Sequence, residues 1–141
     1  MRVMVMIKAT AQSEAGEMPT DDIFVRMGNF NEELVNAGLM MAGEGLKESA
    51  KGRRLQLDGS KVTVIDGPFT ETKELVAGFW IWQVGSMEEA VHWARRCPTS
   101  AGQITNLEIR EIYETEDFGD AIPPEVIEQE ARLRKLAEER A

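Results

Sequence analysis

Three charged side chains, Asp66, Glu71 and Lys73, fall within one eight-residue stretch. Two carboxylates beside a cleft can share acid and base roles when burial raises the pKa of one. A lysine close by can stabilise a developing oxyanion or hold an anionic substrate. The same residues also suit a plain turn, because Asp, Gly and Pro favour turns for local reasons, with Glu71-Thr72-Lys73 a solvated loop beyond. Glu44 stands between Gly43 and Gly45. Glycines let a backbone approach a ligand closely, and a strand end is a common pocket position. They equally suit a bend or bulge. Trp80 and Trp82 have the rings to line a ligand cavity, or to serve as core or interface.

What is scarce narrows the chemistry. The chain has one histidine, His92, and one cysteine, Cys97. One cysteine cannot form an internal disulfide, and the pair cannot supply a structural zinc site, so no metal is expected. His92 lies among Glu88, Glu89, Arg95 and Arg96 and reads as a surface residue. Cys97 closes an apolar stripe just before Pro98. A reactive thiol needs an accessible, electropositive setting, for which Arg95 and Arg96 are the available cations. No glycine-rich phosphate loop or nucleotide fingerprint is present, so chemistry without a cofactor is expected.

The net charge of −9 and pI of about 4.7 repel phosphate backbones and anionic membranes. Direct nucleic-acid binding is therefore not expected, and no apolar run approaches the ~20 residues of a spanning helix. The opening stretch MRVMVMIKAT lacks the apolar region and cleavage site of a signal peptide. It reads as the first strand of a cytoplasmic protein.

The elements that must hold these residues follow from periodicity. Arg2 to Lys8 alternates as a strand, with Val3, Val5 and Ile7 on one face and Met4 and Met6 on the other. A polar loop spans Gln12 to Pro19. Thr20 is placed to cap a helix whose stripe is Phe24, Met27, Phe30 and Leu34 and which ends at Gly38. Leu39 to Ala42 reads as a short strand. Arg54 to Ile65 reads as a hairpin turning at Asp58-Gly59. Leu75 to Val84 is a strand with Phe79 and Ile81 on one face and Trp80 and Trp82 on the other. Ser86-Met87-Glu88-Glu89 is a capping-box pattern opening a second helix, whose stripe is Met87, Ala90, Val91, Ala94 and Cys97. Leu107 to Tyr113 is the last strand, and Glu125 to Arg140 reads as a helix in an acidic tail.

The order is strand, helix, strand, hairpin, strand, helix, strand. That describes an α+β, ferredoxin-like βαββαβ unit with an inserted hairpin, residues 1–113, and an acidic helical extension, 114–141, of the same domain. The first and third core strands are central in this topology and are apolar on both faces. Helices cover one face; the other, carrying residues such as Met4 or Trp80, requires a second subunit. Leaving each large side chain exposed would cost roughly 1.5–3 kcal/mol.

The block DGPFTETKE (66–74) resembles the DGPF-motif branch of the YCII-related family. FNEELVNAG (30–38), AGEGL (42–46), VAGFWIWQVGSMEEA (76–90), WARRCP (93–98) and the tail EDFGDA (116–121) extend the similarity to nearly the whole chain. The resemblance implies a dimeric α/β barrel assembled from two ferredoxin-like units. Some members are suspected enzymes because of a histidine and an aspartate near a cleft. Here the first helix has no histidine, so such a pair is not expected. Relatives of this branch are often encoded near, or fused to, extracytoplasmic-function sigma factors.

Two functions from different classes follow. One is a cofactor-independent enzyme acting on a small metabolite by acid–base chemistry in a dimer cleft, with Asp66, Glu71 and Lys73 as its machinery and Glu44, Trp80 and Trp82 around the ligand. The other is a non-enzymatic ligand-binding or regulatory module associated with a sigma factor. Convergence of the carboxylates in a cleft separates the two.

Overall fold

The computed structural model describes residues 1–141, which divide into two compact units, Met1–Glu111 and Ile112–Ala141. The first is a mixed α+β unit. Its strands are β1 (Arg2–Lys8), β2 (Met40–Gly45), β3 (Arg53–Asp58), β4 (Lys61–Asp66), β5 (Val76–Gln83) and β6 (Leu107–Glu111). Its helices are α1 (Ala11–Glu14), α2 (Ile23–Asn36) and α3 (Met87–Ala94). Four strands form one antiparallel sheet in the order β2-β5-β1-β6, while β3 and β4 pair only with each other. The two strands that are apolar on both faces are thus the central ones.

Register decides which side chains share a face. Val3 pairs with Trp82 and Val5 with Trp80, and all four are buried beneath Phe30 and Leu34 of α2 and Ala90 of α3. Trp80 therefore faces the helices, not the uncovered side where the sequence pattern set it. Its Nε1–H donates to Asn31 Oδ1 at 2.9 Å, tying β5 to α2. Trp82 is fully buried, and its indole N–H has no acceptor. Burying a tryptophan removes about 150–250 Å² from water, worth roughly 4–6 kcal/mol at 25 cal/mol/Å². That outweighs the roughly 1–3 kcal/mol cost of one unpaired donor.

The opposite face carries Met4, Met6, Phe79, Ile81 and Ala42, in adjacent rows by register and each half-buried. None belongs to the helix-side core. Charges border them: Lys8 lies 3.8 Å and Arg110 3.5 Å from Glu108, and Glu44 sits opposite Phe79.

Several local expectations change. The loop after β1 contains α1, whose Thr10–Ser13 capping box is two reciprocal hydrogen bonds of 3.1 and 2.9 Å. Ser-for-Glu at the fourth position hid that box. Helix α2 begins at Ile23 rather than behind Thr20, because Asp21 Oδ1 accepts from the Ile23 N–H and Asp22 is the N-cap. Phe24, in its first turn, is 66% exposed, so the buried stripe starts later. Gly38, at φ 78°, ends α2 as expected, with its N–H on Val35 O. Strand β2 runs on through Gly45, past a bulge at Met41. In α3, Ser86 Oγ accepts from the Glu89 N–H, but the Glu89 carboxylate reaches Gly85 N–H instead of closing the box. Val91 is exposed, and Trp93 takes its place against the core. His92 is exposed.

In the second unit, Tyr113 and Phe118 stack at 4.7 Å and α4 (Pro124–Arg140) starts with proline at its first position. Every residue of α4 is exposed, including Val126, Leu133 and Leu136 of its sparse stripe. No helix is long and apolar enough to cross a membrane.

Leu34 is fully buried at the α2–sheet contact. Leu34→Ala should lower stability by about 2–5 kcal/mol in urea denaturation. His92→Gln should stay within about 0.5 kcal/mol.

Candidate functional site

The ends of the central strands converge on a groove. Beyond β1, the Ala9 N–H bonds to Leu75 O, and beyond β2, the Leu46 N–H bonds to Ala77 O at 2.8 Å. Between them the floor is short-side-chain backbone: Gly43, Gly45, Ala77 and Gly78. Ile7, Phe24, Met27, Asn31 and Trp80 stand over it and enclose about 290 Å³. Gly43 is required by contact, since a Cβ there would lie 2.8 Å from the Trp80 ring. A Cβ on Gly45 would meet nothing within 4 Å. Two further pockets, of about 280 and 180 Å³, adjoin it at Ala77, both bordered by Ser13 and Glu17. Apolar walls with few fixed polar groups suit a small, largely apolar molecule.

Among the residues singled out from sequence, Glu44 and Trp80 border this groove. Register points the Glu44 and Phe79 side chains to the open sheet face, so both border it along the strand edge. Trp82 lies in the core behind Trp80. Asp66, Glu71 and Lys73 are exposed and do not line the groove. Asp66 instead ends β4 and holds Arg53, its cross-strand partner, at 2.8 Å.

The Asp66–Phe69 turn has a different physical job. Gly67 packs so tightly on the segment Ser49–Lys51 that an added Cβ would lie 1.8 Å from Ser49 O. Phe69 N–H donates to Ser49 Oγ at 3.0 Å. Ser49 Oγ in turn donates to Glu14 Oε2, and Ser49 N–H to Glu14 Oε1 at 3.0 Å. The Arg54 guanidinium sits 3.9 Å over the Phe69 ring. The turn therefore latches the root of the β3–β4 hairpin to α1. Sequence reading missed Glu14, Ser49 and Asn31. Only Asn31 had a local signal, lying beside Phe30 on the helix that faces the sheet.

Cys97 lies half-buried just beyond the end of α3. Burial pushes its thiol from 9.0 to about 11. No group of three or more His, Cys, Asp or Glu side chains stands ready to hold a metal ion.

A model of the YCII-related domain matches residues 1–114. An uncharacterized protein of Rhizobium meliloti (strain 1021) is 30% identical over 80 residues, 57% of this chain and 64% of that protein. The match thus spans less than two thirds of that relative. A solved structure of 5-chloro-2-hydroxyhydroquinone dehydrochlorinase (TftG) from Burkholderia phenoliruptrix AC1100, in complex with 2,5-dihydroxybenzoquinone, aligns over 82% of this chain and 98% of its own. The TM-score is 0.38 and the identity 16%, a distant likeness.

Two outcomes follow from the geometry. Gly67→Ala should cost about 2 kcal/mol or more, because backbone must move to admit the methyl group. Asp66→Asn should cost less than about 1 kcal/mol, since the pair it breaks is solvent-exposed. Urea midpoints for the two variants check both. For Cys97, the thiolate is the reacting species, so alkylation by iodoacetamide should be slow at pH 8 and rise as the pH approaches 11. The raised pKa keeps the folded thiol neutral while the unfolded one ionises near 9.0, so its contribution to stability is complete below pH 9 and disappears between about 9 and 11.

Proposed function

We propose, from the premise that this chain belongs to the YCII-related family, that it is a homodimer, packed through its open sheet face, that binds a small, largely apolar molecule in the strand-end groove. Within the family we place it in the DGPF-motif branch, with its first unit a ferredoxin-like half of a dimeric α/β barrel. The observation that carries the ligand reading is the groove itself: a bare backbone floor at Gly43, Gly45 and Gly78 beneath Met27, Phe24 and Trp80, with the Asn31 side chain held in place by the Trp80 indole. Side chains absent from the floor leave room that the core around it does not.

The dimer reading is supported by Met4, Met6, Phe79, Ile81 and Ala42 on the uncovered face, bordered by Glu44, Glu108, Arg110 and Lys8. An apolar centre with a polar rim is the usual anatomy of a protein interface. The Glu44 carboxylate is on that face beside the groove's edge, so the partner subunit would close over it. Proton transfer by Glu44, exposed in the single chain and covered in the proposed dimer, is the chemistry this arrangement suits, without a cofactor.

Native mass spectrometry of freshly purified protein, followed by a thermal-shift screen of small aromatic and alicyclic compounds, tests the ligand reading. Gly45→Leu should abolish binding with little change in the ligand-free melting temperature, because the new side chain enters open groove space. Glu44→Gln should retain binding and lose any turnover. Binding untouched by Gly45→Leu would remove the groove as the site. Sedimentation at micromolar concentration should show a dimer.

A further inference from the structure

The β3–β4 hairpin forms no part of the four-stranded sheet, and all twelve of its strand residues are exposed. Its register puts Leu55 opposite Val64 and Leu57 opposite Val62. Alternation sends those four side chains to one face, where they are 60, 57, 73 and 55% exposed. A two-stranded ribbon in water is marginal on its own. This one is nonetheless held firmly at its root by the Gly67–Ser49 packing, the Phe69–Ser49–Glu14 hydrogen bonds and the Arg54–Phe69 contact. It is a fixed arm with an uncovered apolar side.

We propose that the occupant of that side is a second copy of this chain, the arm of each protomer gripping the other as part of the same dimer. The inference rests on the dimer reading above. Three observations select a second copy. The first is area: a stable dimer buries about 1,200–2,000 Å² in total. The open sheet face has only five apolar side chains, each already half-buried by its neighbours, whereas the arm adds four that are more than half exposed. The second is charge. The arm's apolar face is flanked at its root by the internally paired Arg53 and Asp66, so it is neutral in a chain of net charge −9. Two copies can meet there without opposing like charges, and a two-fold contact requires a self-complementary patch. The third is connectivity: in sequence the arm is inserted between β2 and β5, the strands that carry Ala42, Phe79 and Ile81 of the open face.

The test compares wild type with an arm variant, Leu55→Thr, Leu57→Thr, Val62→Thr and Val64→Thr, which keeps strand-favouring residues. Sedimentation equilibrium should show the dimer dissociation constant raised about 100-fold or more, with the circular dichroism spectrum unchanged. A second measurement uses the wild-type chain alone: amide exchange across residues 53–66 should slow as protein concentration rises through the dimer dissociation constant. A wild-type dimer whose affinity survives the four substitutions, or whose arm exchanges equally at all concentrations, overturns the arm contact and leaves the sheet-face dimer standing. A wild-type chain that stays monomeric overturns both. Should the variant fail to fold, the exchange measurement decides alone.

Discussion

The fold depends on one constraint: the two central strands are apolar on both sides. A β-strand sends alternate side chains to opposite faces. In β1 and β5 that alternation separates Val3, Val5, Trp80 and Trp82 from Met4, Met6, Phe79 and Ile81. The first set is sealed by α2 and α3 around two tryptophans and Phe30, whose rings meet edge-on or tilted at 5.6–6.4 Å. The second set has no helix to cover it, since both long helices of the unit are used on the other side. Everything proposed about assembly begins with this imbalance. It is built into the strands and cannot be relieved by a local change in a loop.

The elements themselves were legible because each had a strong local cause. Period-two alternation marked β1, β5 and β6, Asp58-Gly59 marked the hairpin, and Gly38 marked the end of α2. The failures also have causes. Alternation says that Trp80 and Phe79 oppose each other but not which of them meets the helices, because both faces are apolar; only the partner elements decide. Phe24 continued a helical stripe on paper, yet it lies in the first turn of α2, outside the core, and remains 66% exposed. Helix α1 is four residues long, too short for periodicity to register, and its cap used Ser13 where a glutamate or glutamine is the usual signal.

The site was less legible than the fold. Glu44 was singled out because glycines flank it, and those glycines line the groove. Asp66, Glu71 and Lys73 were grouped by nearness in sequence; all three are exposed, and Asp66 pairs with Arg53. The residues that the turn does engage, Ser49 and Glu14, lie 20 and 55 positions away from Phe69. No spacing rule reaches that far.

The Ser49 hydroxyl is what joins the Asp66–Phe69 turn to α1. It receives the Phe69 N–H and gives its own proton to Glu14, so one atom joins the hairpin root to the last residue of α1. Immediately around that junction, Ser13, Gly16, Glu17 and Glu48 line one of the pockets adjoining the groove. Gly67 holds the junction shut by admitting the Ser49 carbonyl where any side chain would exclude it. The hairpin root and α1 are thus joined directly, by the Phe69–Ser49–Glu14 hydrogen bonds and the Gly67–Ser49 backbone contact. The specificity of the Asp66–Phe69 block is then a matter of shape more than charge: Gly67 for the close approach, Phe69 for its N–H and ring, and Asp66 for squaring off the end of the ribbon.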